Sequence, residues 1–305
     1  MSTLHTLWDW AVLEQGKLRA GDVKPRGLPS GVGLESLVVG GIPRDKVTTL
    51  YADEGSFKTT MVTQIMLSIA AVGPVVCISL EDSAELASHR LLGRVSGVSF
   101  GSIHGGVLTD EQRIAVAGAE LLPAMRNIHI VDDIEPTMER CLDAARSIKG
   151  CRALIVDYIQ LLEGAGDQKT TLDRAMKLAQ RFAITNKIAV ICVSQRKTID
   201  MEGARRDNPR PVTADMFGSS TMRMATKLAI GLFRPWTWAK APTSAKGPYG
   251  VYTKWMSANP EHIPLYPNIL EVHITKQVAG PPGAYWVLVH PETGIIEPYD
   301  MRGYL

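Results

Sequence analysis

The stretch "YADEGSFKTTMV", residues 51–62, carries the residue types that can hold a polyphosphate. A phosphate loop works because consecutive backbone N–H groups converge on an anion at a helix N-terminus. A lysine then adds a point charge near the β/γ-phosphates, and a hydroxyl meets Mg²⁺. The usual pattern is Gly or Ala, four free positions, then Gly-Lys-Ser/Thr. Here the frame opens on Ala52, runs through Asp53, Glu54, Gly55 and Ser56, and closes on Lys58, Thr59 and Thr60. Phe57 stands where the second glycine belongs, and a side chain there is penalised sterically if the position needs a positive φ. A strand–helix turn with a chance Gly-Ser-x-Lys-Thr is the competing reading.

Three further residues sit where such a loop needs company. "RALIVDYIQLL" puts Asp157 at the end of an apolar run, well downstream of Lys58. In phosphate-loop ATPases an acidic residue there holds the Mg²⁺ water shell. An aspartate ending a strand is commonplace, but paired with a Lys-Thr loop in this order it is specific. Glu81 follows "VVCISL", and its carboxylate could orient an attacking water. Equally, Glu81 and Asp82 could simply favour the N-terminus of the next helix. Gln195 leaves "AVICVS" at the same edge, where an amide could sense a γ-phosphate or merely meet solvent.

Positioning these groups at one edge requires alternating strands and helices, and the apolar patterning provides them. "KVTTLYA" reads as a strand and 59–71 as a helix; "PVVCISL" as a strand and "SAELASHRLLGRV" as a helix. Thr109 and Gln112 have the capping-box spacing that opens another helix. "NIHIVDD" is a strand, 138–148 a helix, "RALIVDYIQLL" a strand, 172–185 a helix and "IAVICVSQ" a strand. Such βα alternation predicts an α/β fold with a mostly parallel sheet covered on both faces. After Lys227 the runs "KLAIGLF", "ILEVHITKQ" and "AYWVLVH" predict an antiparallel meander. Two segments stand apart. Residues 3–20 have an amphipathic pattern, for packing on their own domain or on a neighbouring subunit. Residues 235–267 are rich in aromatics and proline, which suits either a self-packed flap or a platform for stacking bases.

The totals fit this picture. Of 305 residues 45% are hydrophobic and the net charge is +2, an ordinary globular balance that excludes a generally basic DNA-coating protein. The four cysteines lack C-x-x-C spacing and the seven histidines lack paired metal spacing, so neither disulfides nor zinc are expected. No run approaches the length of a membrane span and the start has no signal-peptide character, so a cytoplasmic location is expected.

Taken in order, "GLPSGVGLESLVVGGIPRDKVTTLYADEGSFKTTM", "CISLEDSAELASHRLLG", "LIVDYIQLL", "AVICVSQRKTIDMEGARRDNPRPVTADMFGSS" and "VHITKQVAGPPGAYWVLVHPETGIIEP" resemble the ATPase domain of DnaB-type replicative helicases, within the RecA-like superfamily. The resemblance covers residues 27–298 and leaves 1–26 as an N-terminal segment or linker before a motor domain of 27–305. It implies a RecA-like core, ATP and Mg²⁺ as ligands, and a homo-oligomer, usually a hexameric ring, moving on single-stranded DNA. It also implies Lys58 on the phosphates, Thr59 and Asp157 on Mg²⁺, Glu81 as catalytic base, Gln195 as sensor, and Lys276 reaching a neighbouring subunit's γ-phosphate. Arg196, Lys197, Arg205, Arg206 and Arg210 would then face DNA in the channel, where phosphate contacts need no sequence preference; a solvated charged loop is the bland reading.

The chain departs from the family at four places, one being the segment "SSTMRMATK", which lacks the acidic residues the family tends to show before its next strand. Phe57 replaces the loop glycine. Val278 stands where an arginine finger is common, leaving Lys276 alone or another arginine, Arg223 or Arg234, to substitute. Only 26 residues precede the core, too few for the domain that binds primase in that family, so coupling of that type is not carried over, although primase or other replication proteins stay within the family's range of partners. The leading expectation is a stand-alone helicase motor of a phage or plasmid replication system. The alternatives are a RecA-like recombination or strand-annealing ATPase, and a nucleotide-binding loader or regulatory module with little turnover.

Overall fold

The computed structural model describes residues 15, 19, 27–119, 122–196, 209–216, 220–238 and 250–300. In chain order, β1 (Gly27–Leu28) and β2 (Ile42–Pro43) form a small antiparallel ribbon. Then come β3 (Val47–Ala52), α1 (Lys58–Ala70), β4 (Val75–Ser79), α2 (Ala84–Ser96), α3 (Phe100–His104), α4 (Asp110–Ala119), β5 (Ile128–Val131) and α5 (Met138–Ser147). β6 (Ala153–Asp157), α6 (Gln168–Asn186) and β7 (Ala189–Gln195) complete the alternating part. Beyond it lie α7 (Ser220–Ala225), β8 (Thr226–Phe233), α8 (Pro235–Trp238), α9 (Gly250–Ala258), β9 (Ile269–Lys276), β10 (Gly283–His290) and β11 (Ile295–Tyr299).

Among the described residues nine strands make one sheet in the order β11-β10-β9-β8-β3-β7-β6-β4-β5. From β8 to β5 neighbouring strands are parallel; β9, β10 and β11 add antiparallel hairpins at one side. The expected layout is present, with β11 as an extra edge strand. The parallel strands are apolar on both faces because helices cover both. Leu50, Ile155 and Val193 point toward Met61, Ile65 and Ile69 of α1. Tyr51, Val156 and Val190 point the other way, toward Leu142 of α5 and Met176 and Phe182 of α6. In α1 the buried positions 61, 62, 65, 66 and 69 recur at helical spacing, giving one apolar stripe against the sheet.

Helix starts follow local chemistry. Gln112 donates its amide N–H to the Thr109 hydroxyl, and the Thr109 N–H is accepted by the Gln112 side chain, closing the expected capping box at α4. Ser83 caps α2, reinforced by the Asp132 carboxylate on the Ala84 N–H. One expected strand is shorter than read. β6 stops at Asp157, and residues 159–161 form a 3₁₀ turn instead of continuing. The cause is tertiary: Gln160 turns its amide onto the Ser194 hydroxyl and the Gln195 carbonyl.

The aromatic excursion packs on itself where it is described. Tyr252, Met256 and Tyr266 are buried with Ile269 and Trp286, and Tyr266 stands edge-on to Trp236 at 5.9 Å. The Tyr252 and Tyr266 rings are core, while the side chains of Trp238, Tyr249 and Trp255 lie outside the described residues. All four cysteines are buried free thiols, and burial pushes those of Cys141 and Cys192 up to about 12. No helix among the described residues is long and apolar enough to cross a membrane. The pattern in residues 3–20 lies outside the described residues.

Candidate nucleotide site

β3 delivers Ala52 to the sheet edge and α1 begins at Lys58, so residues 53–57 must turn sharply between them. Gly55 has φ +69 and Phe57, the residue before the helix, has φ +58 and ψ +29. The position does need the left-handed region, and a phenylalanine takes it at a cost of about 1–2 kcal/mol. Two contacts offset that cost. The Phe57 ring packs against the core under α1. The Arg234 guanidinium lies over the ring at 4.3 Å and donates to the Gly55 carbonyl at 2.9 Å and to the Pro267 carbonyl at 2.8 Å.

The Lys58 ammonium folds back on its own loop, donating to the carbonyls of Asp53 at 2.9 Å and Ala52 at 3.3 Å. Burial pulls its pKa down, while Asp157, Asp53, Glu81 and Glu54 pull it back up. Ser56 is buried, Glu54 and Gly55 are exposed, and Thr59 and Thr60 lie half-buried in the first turn of α1.

Parallel pairing fixes the remaining groups. Asp157 of β6 lies level with Ser79 of β4, and the Leu80 N–H is accepted by the Asp157 carbonyl at 2.8 Å. Glu81 therefore leaves its strand beside Asp157. Burial, then Glu81 and Asp82, push the Asp157 carboxyl up to about 6, against the opposing pull of Lys58 and Arg90. Asp82 is tied to Arg90, whereas no ion pair among the described residues engages Glu81, which is exposed. Gln195 is level with Ala52 at the end of β7 and exposed. The edge thus gathers Lys58, Thr59, Glu81, Asp157 and Gln195. Its oxygen donors are hard, and negative charge exceeds positive, which suits Mg²⁺ bound with phosphate oxygens.

Other expected residues lie elsewhere. Lys276 is level with Ala229, which is level with Thr49, so it stands three residues, about 10 Å, back along the sheet from Ala52. Its ammonium donates to the Arg223 carbonyl at 2.5 Å. It does not approach the loop of its own chain. Val278, in the place of the missing arginine, is 65% exposed.

The DNA-contact expectation needs correction at two positions. Arg196 is buried, its guanidinium bound to Asp215 and, at 3.0 Å, to Asp53. Arg210 clasps Glu271 with two hydrogen bonds of 2.6 and 2.8 Å. Both charges are neutralised inside the chain, because a guanidinium withdrawn from water needs carboxylates within reach. Lys197, Arg205 and Arg206 lie outside the described residues. Sequence reasoning also missed Asp53 as the anchor of Arg196, and saw Arg234 only as a possible finger; the signal for Arg234 is its position directly after "KLAIGLF", at the edge that carries the loop.

A mostly parallel sheet with a lysine-tipped loop after its central strand, an acidic residue ending a strand two places away and an added antiparallel meander defines the RecA-like class of phosphate-loop folds. Within that class the chain belongs to the family of the DnaB-like helicase C-terminal domain, whose model matches residues 27–294. The fold is similar to the "ATPase Domain of G40P", with TM-score 0.79 and 19% identity over 98% of this chain and 100% of that one. It is also similar to the structure titled "The Structure Of A DnaB-Like Replicative Helicase And Its Interactions With Primase", with TM-score 0.78 and 19% identity over 98% of this chain and 68% of that one. No curated protein matches the sequence.

Proposed function

We propose that the chain is the motor subunit of a replicative DNA helicase that binds ATP with Mg²⁺, hydrolyses it between subunits of a ring, and moves along single-stranded DNA. The observation that carries this reading is the loop itself: at Phe57 the backbone takes a left-handed turn and α1 begins at Lys58, and a helix N-terminus of this kind suits an anion. Lys58 gives up its two loop carbonyls to meet the β/γ-phosphates. Thr59 and Asp157 would hold Mg²⁺, which would offset phosphate charge. Glu81 accepts a proton from the attacking water, and Gln195 positions the γ-phosphate end. Residues 52–57 supply the backbone cradle.

The remoteness of Lys276 from its own loop supports a site shared between subunits. A lysine at that end of β9 serves phosphate chemistry only in the next copy's site. Lys197, Arg205 and Arg206 are the cations proposed to meet the DNA backbone. Slow turnover is favoured by Val278, because an arginine finger typically accounts for a large part of the rate. The test is DNA-stimulated ATP hydrolysis together with unwinding of a forked duplex. Hydrolysis and unwinding support the motor; annealing without unwinding points to a recombination protein; tight ATP binding with negligible turnover points to a regulatory module.

A further inference from the structure

We infer that Phe57 and Arg234 form a positioning pair that holds the phosphate loop in the shape glycine would otherwise allow, so that nucleotide affinity in this chain depends on Arg234. The inference deepens the nucleotide reading above and rests on it.

A glycine at position 57 would adopt the left-handed turn freely and have no side chain to anchor. Phenylalanine disfavours that turn, so the native loop must be held from outside. Arg234 does this at three points. Its guanidinium carbon lies over the Phe57 ring, one nitrogen donates to the carbonyl of Gly55 two residues earlier, and another donates to the carbonyl of Pro267. Partial burial lowers the Arg234 pKa. The ring is thereby held between the core and Arg234, the residue that follows β8. Because Pro267 leads directly into β9, the same guanidinium ties the loop to the strand that ends in Lys276.

Arginine suits this task better than lysine, since a flat fork can stack on a ring and bond two carbonyls at once. Arg234 touches the loop, not the phosphates, and is a positioning residue.

The pair is tested with Arg234→Ala, Arg234→Lys, Phe57→Gly and the two double variants. Arg234→Ala is expected to weaken Mg·ATP affinity about tenfold, and Arg234→Lys by an intermediate factor. In the Phe57→Gly background the same replacements are expected to change affinity less than about twofold, because the glycine no longer needs a clamp. Amide exchange of residues 55–58 without nucleotide should quicken about tenfold in Arg234→Ala and little in the double variant. A loss of equal size in both backgrounds overturns the pair, as does unchanged affinity in Arg234→Ala. If Arg234→Ala does not fold, Arg234→Lys in both backgrounds decides. Should the wild-type chain bind no Mg·ATP, the nucleotide reading fails by itself, and the exchange measurement still decides whether the clamp exists.

Discussion

Asp157 on β6 and Glu271 on β9 are both withdrawn from water in one sheet, yet their proton affinities move in opposite directions. Asp157 is pushed up to about 6 by burial and by its neighbours Glu81 and Asp82. Burial also pushes Glu271 upward, but hydrogen bonds from His273 and Arg210 outweigh it and bring it down to about 2. The Tyr252 hydroxyl donates to the same carboxylate at 2.5 Å and accepts from the Trp286 indole at 3.1 Å, joining β9, β10 and α9. Glu271 is saturated from within the chain. Asp157 stands beside Glu81 and Asp82, and burial with their push outweighs the pull of Lys58 and Arg90. Perturbation alone therefore does not mark a functional carboxylate; what surrounds the two groups differs.

The contrast can be broken most severely at the loop edge. Glu81→Gln is expected to lower ATP turnover by about 10²–10⁴-fold while leaving Mg·ATP affinity within about threefold, since it removes a base and keeps the shape. Steady-state rates with an equilibrium titration measure this, and normal turnover removes Glu81 from the role of base.

Next in size is Glu271→Ala, which strands Arg210 and is expected to cost about 3–5 kcal/mol in denaturant unfolding. A loss below about 1 kcal/mol would mean the network is ornamental. The pH dependence has a definite sign. The folded pKa lies below the ordinary 4.5, so stability from Glu271 is fully present above about 4.5 and drains away as pH falls toward about 2.

Asp157→Asn sharpens the comparison with a smaller effect of opposite sign. The folded pKa lies above the ordinary 3.8, so the folded chain keeps this proton longer, and stability from this group falls as pH rises from about 4 to about 6. At pH 7 without nucleotide, Asp157→Asn should stabilise the chain by about 1–2 kcal/mol and remove that slope, while abolishing the Mg²⁺ dependence of nucleotide binding. Thermal unfolding across pH checks it; a destabilised Asn variant would make Asp157 a structural group like Glu271.

The arginines extend the contrast with the smallest effect. Arg196 and Arg210 are neutralised internally. Arg205 and Arg206 are proposed to meet DNA. Charge reversal at the latter two should weaken single-stranded DNA binding and lower its salt slope by about one per residue. Unchanged binding would return them to the outer surface.

Much of this was legible in the sequence, and the reasons differ by residue. β3, β4, β6 and β7 are apolar on both faces because helices cover both, so they read as continuous hydrophobic runs, and Lys58, Glu81, Asp157 and Gln195 fall at their ends by simple counting. What periodicity could not see was long-range. The resemblance implies DNA contacts for Arg196 and Arg210, whereas their partners Asp53 and Glu271 lie 143 and 61 residues away. The end of β6 was misread for the same reason, since Gln160 is turned by Ser194, 34 residues downstream. Phe57 is legible as an anomaly and Arg234 as a residue at the loop's edge, but their stacking is not, because a ring contact leaves no spacing signal.

The most direct test is calorimetric titration of the purified chain with Mg·ATP, beside Lys58→Ala. A loop that grips phosphate predicts saturation at sub-millimolar concentration in the wild type, an affinity better than about 4 kcal/mol, and none in the variant. No saturation in any oligomeric form, or equal binding by both proteins, would contradict it.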